Sequence, residues 1–209
     1  MTESEGILEV ATTVYEDQAI NDDWDGTDGE FHGIQFLRCR LVGSVWRNAL
    51  LIGCEFDGCD LTGAEFQGAQ VVHSAFVNCR LARSSWFGAT LDGAKWTGSG
   101  LENADLRGVR IRGGDWSYAN LRHHDLRQQD FGGARMVMAD LYGCNLGGVN
   151  FQKANLSQAI LTKASLVGAD FRGAEVEGID FRQVDLTGAQ LTSDQAILVA
   201  RAYGAHIGV

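Results

Sequence analysis

Residues 59–69 read CDLTGAEFQGA. Leu61 and Phe66 lie one five-residue step apart, and each has a small residue two places before it (Cys59, Ala64) and a glycine two places after it (Gly63, Gly68). Neither the helical period of 3.6 nor the two-residue period of a long strand gives this spacing. A short extended step followed by a corner does, because glycine tolerates the positive φ that many turns require. Alternation along such a step turns the large residue and the small one two before it to the same side.

The beat extends far in both directions. Every fifth residue from Phe31 to Leu191 is apolar, 33 centres without an insertion or deletion. At the observed apolar content, chance would give this on the order of once in 10^11 tries, so the repeat is real. Of the 32 slots two residues before a centre, from 34 to 189, 28 hold Ala, Ser, Cys, Gly or Val; the exceptions are Ile34, His124, Gln129 and Ile179. Glycine fills 18 of the 33 slots two residues after a centre. Proline is absent, which suits a chain that is hydrogen-bond ladder nearly throughout.

Stretches such as CDLTGAEFQGA (59–69), ANLSQAILTKASLVGADF (154–171) and VDLTGAQL (184–191) resemble the pentapeptide-repeat family, A(D/N)LxG in shorthand. The resemblance spans residues 29–191. It implies an all-β solenoid: a right-handed quadrilateral β-helix with four pentapeptides per coil, about eight coils, and a rod roughly 40 Å long. Residues 1–28 are then an acidic N-terminal segment and residues 192–209 a C-terminal helix and tail.

Stacking positions 20 apart gives columns. Phe36, Phe56, Phe76, Trp96 and Trp116 share one, Trp46, Phe66 and Trp86 another, and Leu41 through Leu161 a third. These columns are expected to be core, with no cofactor among them. All five cysteines (Cys39, Cys54, Cys59, Cys79, Cys144) occupy small inward slots. No histidine or carboxylate shares the column of Cys39, Cys59 and Cys79, so buried structural thiols are expected rather than a metal site. Their presence suits a reducing compartment.

His124 and Gln129 break the small-residue rule. Either both lie inside and bond to each other or to backbone, or the coil bulges and swings them outward, or they mark a site. With only Cys144 as a partner, His124 lacks the ligands a closed zinc centre needs, and the structural readings are preferred.

The formal charge of −10 belongs wholly to the start of the chain, since residues 1–30 hold ten acids and the first basic residue is Arg38. Duplex nucleic acid is an unsuitable ligand on these grounds. No apolar run reaches the length of a membrane span, and the start does not resemble a signal peptide, so a cytoplasmic protein is expected.

Both ends of an open β-helix need covers. At the C-terminus TSDQAILVARAYG (192–204) offers a capping box (Thr192, Gln195) and a short apolar-faced helix. That helix is read as a cap and as a homodimer interface through Ile197, Leu198, Ala200, Arg201 and Tyr203. At the N-terminus GILEVATTVY (6–15) is expected to lie as a strand over the first coils, covering Leu50, Ile52 and Val72. One outer row reads Val45, Glu65, Ser85, Asp105, Asp125, Asn145, Ser165, Asp185, with Arg107 and Arg127 beside it. Its acids (Glu65, Asp105, Asp125, Asp185) are the candidate partner-binding face, against the plainer reading of a salt-bridged solvated surface.

No nucleophile with a positioned base, no phosphate loop and no paired carboxylates in a cleft are visible, so catalysis is not expected. The length, the uninterrupted rod and the DQAxxxARAxG tail resemble the Qnr and MfpA branch of the family. That resemblance implies dimers that imitate duplex DNA, bind DNA gyrase or related type II topoisomerases, and protect them from quinolones or natural gyrase poisons. The rival is a non-enzymatic scaffold with another protein partner.

Overall fold

In the computed structural model, residues 13–21 and 24–208 are described, and the coils among them follow the five-residue beat. Two parallel ladders hold the strands. One stacks β1 (Val14–Glu16), β3 (Gln35–Leu37), β5 (Glu55–Asp57) and β7 (Ala75–Val77). The other stacks β2 (Glu30–His32), β4 (Leu50–Ile52), β6 (Gln70–Val72), β8 (Thr90–Asp92) and β9 (Arg110–Arg112). Register is 20 residues per rung, for example Phe36 opposite Phe56 and Leu51 opposite Val71. Named strands cover at most five rungs, fewer than the eight coils the repeat predicts. Beyond them the winding continues as isolated parallel bridges as far as Asp170–Gln190.

The corners explain the strands' shortness. From Phe31 to Val176 the residue two after each centre has positive φ, +55° at Asn48 and +69° at Gly63 for example, so the extended stretch is limited to about three residues. On two faces the corner is tight: the N–H three residues after the centre bonds back to it, as in Ala49 to Trp46 (3.1 Å) and Ala64 to Leu61 (3.0 Å). On the two strand-bearing faces the corner is open, and at several rungs a side chain of the next coil meets the centre's carbonyl. Cys54, Cys59 and Cys79 thiols donate to Phe31, Phe36 and Phe56 carbonyls at 3.1–3.2 Å, and Ser74 and Ser99 hydroxyls to Leu51 (3.1 Å) and Phe76 (2.7 Å). The cysteines are free and buried, and their thiols, like the two serine hydroxyls, give those carbonyls a side-chain donor from the next coil. Open corners end at Phe76 on one face and at Ile111 on the other; Trp96 and Phe131 restore the tight turn.

The columns are core, as the repeat predicts. Tyr15, Phe36, Phe56, Phe76, Trp96 and Trp116 form one continuous stack with centroids 4.6–5.1 Å apart. Indoles need partners when buried: Trp46 and Trp86 donate to Ser44 (2.9 Å) and Ser84 (2.8 Å), the small residues two places before them.

The N-terminal segment is placed differently from the expected strand across the sides of the first coils. Residues 6–12 of that stretch lie outside the described residues. Val14–Glu16 instead adds end-on to the ladder, with Tyr15 opposite Phe36, so the rod already includes Val14, well before position 29. The offset there is 21, and returns to 20 by Asp25–Val45. Gly26 falls in the next centre slot, and a Cβ there would meet the Phe31 ring at 2.9 Å. Trp24 fills the space from beside it, its ring centroid 5.0 Å from that of Trp46. The one-residue offset and a glycine at a centre are why the beat is illegible before Phe31.

At the other end, the last coil loosens into a 3-10 turn at Phe181–Gln183, followed by α1 (Ser193–Ala202). The Thr192–Gln195 capping box is formed. Gln195 is also buried, and its amide donates to the Phe171 (2.6 Å) and Ala174 (2.9 Å) carbonyls, pinning α1 to the last coils.

Candidate functional site

The outer acidic row lies on the third face, the one whose centres run from Trp46 to Leu186. Bridges align Val45, Glu65, Ser85 and Asp105 in one ladder and Asp125, Asn145, Ser165 and Asp185 in a second. The acids therefore share a face, but they are not free charges. Arg107 folds back on Asp105 with two bonds of 2.8 Å, and Arg127 on Asp125 at 2.9 and 2.7 Å. Glu65 pairs with Arg47. Among the described residues Asp185 is held only by Thr187, through its backbone (3.0 Å) and hydroxyl (2.7 Å). The guanidinium bonds hold Asp105 and Asp125 below the usual carboxylate range, and the Thr187 hydroxyl does the same for Asp185.

The cause is a local motif. Aspartate before a centre accepts the N–H two residues on, as Asp105 does from Arg107 at 3.1 Å, and this turn carries the arginine side chain back over the same carboxylate. DFR at 170–172 and 180–182 repeats it, and arginine bonding takes Asp170 and Asp180 down to about 2. The D-x-R spacing was readable in the sequence; its consequence, a face of self-neutralised pairs, was not drawn from it. Arg38 likewise ties Glu16 (2.6 Å) and Asp17 (2.9 Å).

Other groups on this face carry no sequence signal beyond their identity. Phe87 is exposed beneath the Arg107 guanidinium, 5.8 Å from the ring centre, and Val167 is exposed two coils beyond Arg127. Between them lies a cleft of about 750 Å³ bordered by Leu106, Arg107, Asp125, Arg127, Asn145 and Val167.

Gln129 lines that cleft, and both it and His124 point inward and bond to backbone. His124 Nε2 lies 2.8 Å from the Leu101 carbonyl; Gln129 donates to Val109 (3.1 Å) and accepts from Ile111 (2.8 Å). Burial pushes the His124 pKa down. No group of three or more His, Cys, Asp or Glu suited to a metal occurs among the described residues.

Of the residues read as a dimer interface, Leu198, Arg201 and Tyr203 are exposed, while Ile197 and Ala200 are half-buried. The Tyr203 hydroxyl donates to the Phe181 carbonyl at 3.2 Å. Leu198 borders an apolar groove of about 460 Å³ with Val176, Ile179 and Phe181. No helix among the described residues is long and apolar enough to cross a membrane.

Comparison with known proteins agrees with this geometry. No curated protein sequence matches the chain. Among solved structures, a trypsin-treated variant of QnrB1, described as a plasmid-mediated fluoroquinolone resistance protein, aligns over 94% of this chain and 98% of its own at 20% identity, with a TM-score of 0.65. Full-length QnrB1 aligns over 93% and 98% at 21% identity and 0.57. HetL, from the cyanobacterium Nostoc sp. strain PCC 7120, aligns over 84% and 86% at 24% identity, with a TM-score of only 0.40. The sequence profile of the pentapeptide repeat region matches residues 29–106, and that of pentapeptide repeats (8 copies) matches 117–148 and 150–188. The chain belongs to the pentapeptide repeat family.

Proposed function

We propose that this chain is a non-enzymatic cytoplasmic protein that binds DNA gyrase or a related type II topoisomerase and protects it from quinolones or natural gyrase poisons. The observation that carries this reading is the end-to-end likeness to QnrB1, which extends over 98% of that resistance protein. A stiff rod of coil dimensions suits a groove built to hold a duplex. The self-neutralised third face makes shape, rather than net charge, the larger part of the fit. Asp185, which has no basic partner among the described residues, is the acid of that row best placed to meet a cation. The rods pair through α1, where Leu198 and Tyr203 stand exposed beside the groove at the last coil.

The test is a supercoiling and cleavage assay with purified gyrase, with and without a fluoroquinolone. Protection from drug-induced cleavage at micromolar protein supports the proposal; no effect on either reaction refutes it. A shape-driven complex keeps most of its affinity as salt rises, whereas a charge-driven one weakens steeply. Leu198→Glu should leave the rod folded and halve the mass measured by light scattering.

The self-paired charges favour a second reading, a scaffold for another protein partner. Gyrase indifference together with a retained dimer would select it.

A further inference from the structure

The third face has one interruption in an otherwise continuous ladder. Each centre there donates to the coil above: Trp86 to Asp105, Leu126 to Asn145 and Leu146 to Ser165, all at 2.8 Å. Among the described residues, the four corresponding bonds from Leu106 to Asp125, Asp125 to Ala104, Gly108 to Arg127 and Asn103 to Arg122 are missing. The core shows through the gap. Ala104, Leu106 and His124 are 8%, 6% and 9% exposed, while Leu121 and Leu126 are at 0%.

Two side chains explain the opening. The slots of His124 and Gln129 elsewhere hold alanine, serine, cysteine or valine. In the same column as His124, the Cys144 thiol reaches the Leu121 carbonyl at 2.9 Å with the coils in contact. His124 interposes a whole imidazole before it reaches Leu101. At the far end of the gap, the Gln129 carboxamide takes the place of a peptide unit. It gives Val109 the donor and Ile111 the acceptor that the Asp130 backbone would supply, and the register slips so that Asp130 faces Arg112. The coils are thus propped apart by two polar struts, with four backbone bonds unmade between them. On the opposite face the ladder is unbroken: Trp96 donates to Asp115 and Trp116 to Arg135, both at 2.6 Å.

We propose that the rod is two stiff segments meeting at a compliant seam, residues 103–108 against 122–127. Bending there opens and closes the cleft between Arg107 and Arg127. A bonded parallel ladder resists such bending, and local opening concentrates where backbone bonds are few. The seam depends only on this chain's backbone, and stands or falls independently of gyrase binding.

The test is residue-resolved hydrogen exchange by NMR on the full chain. The amides of Leu106, Gly108 and Asp125 should exchange at least ~100-fold faster than those of Trp86 and Leu126. Equal protection in the unmodified chain overturns the seam, and needs no variant. In H124A/Q129V, which restores small residues to both slots, protection at the three amides should rise toward that of their neighbours. The spin–spin distance distribution between labels at Gln67→Cys and Thr187→Cys, six coils or ~30 Å apart, should then narrow. A folded double variant with an unchanged distribution width overturns the bending.

Discussion

Replacing Phe76 by leucine tests whether the aromatic half of the core is held by ring geometry or by apolar volume alone. Phe76 is fully buried and meets four rings, Phe56 and Trp96 at 4.6 Å in parallel stacks and Trp86 and Phe66 edge-on at 5.5 and 5.8 Å. Phe151 is equally buried but meets two, Phe131 at 5.7 Å and Phe171 at 5.2 Å. Leucine keeps most of the apolar volume, so the packing cost is similar at both sites, ~1–1.5 kcal/mol. Each lost aromatic pair adds ~0.5–1.5 kcal/mol. Phe76→Leu should therefore cost about 1–3 kcal/mol more than Phe151→Leu, a large fraction of the ~5–15 kcal/mol that holds a typical domain. Equilibrium urea unfolding, followed by both tryptophan fluorescence and far-ultraviolet circular dichroism, gives the comparison where the two probes coincide. If Phe151→Leu proves as costly as Phe76→Leu, ring pairing contributes nothing beyond burial and the reasoning is refuted.

Gly33→Ala, at φ +63° with open space around it, should cost ~1–2 kcal/mol. Gly114→Ala, at φ +94° and with its Cβ 2.4 Å from the Ala94 carbonyl, should cost several times as much; the two midpoints in urea decide. His124 is kept neutral by burial, so the unfolded chain takes up its proton first. Stability is full above an ordinary histidine pKa of ~6.5 and falls as pH drops from there toward the lowered folded value; thermal midpoints of His124→Ala should lack that slope between pH 7.5 and 5.5. The thiols are buried, and burial pushes Cys144 up to about 12, so Ellman's reagent should find almost no reactive thiol in the native protein and five after denaturation.

The beat of five made most of the molecule legible, because each centre and each small slot sees nearly the same surroundings in every coil. Leu121 and Ala154 needed no tertiary information to be placed inside. Legibility failed where a residue's role depends on the coil above or below. Trp24 fills a space that Gly26 leaves empty, and no local pattern announces it. Gln129 stands in for a peptide unit of the neighbouring coil, which is visible only once the ladder is in three dimensions. At the outer face, the alignment of Glu65, Asp105, Asp125 and Asp185 followed from spacing. The closing of Arg107 on Asp105 followed from a turn that the row, taken as a column of charges, did not include. The placement of β1 on the end of the rod escaped because one extra residue between Ala19 and Asp25 shifts the phase.

The two kinds of corner give the molecule a direction that its repeating text conceals. A twenty-residue unit from the leucine-rich end carries no thiol or hydroxyl in the slots that Cys54, Cys59, Ser74, Cys79 and Ser99 fill in the aromatic end. A unit moved the other way would set those side chains against tight corners, whose carbonyls the chain's own backbone already bonds. Duplication of whole units is therefore harmless only between neighbours of the same kind, and such a chain lengthens from within its uniform stretches, leaving the junction between them as a fixed landmark.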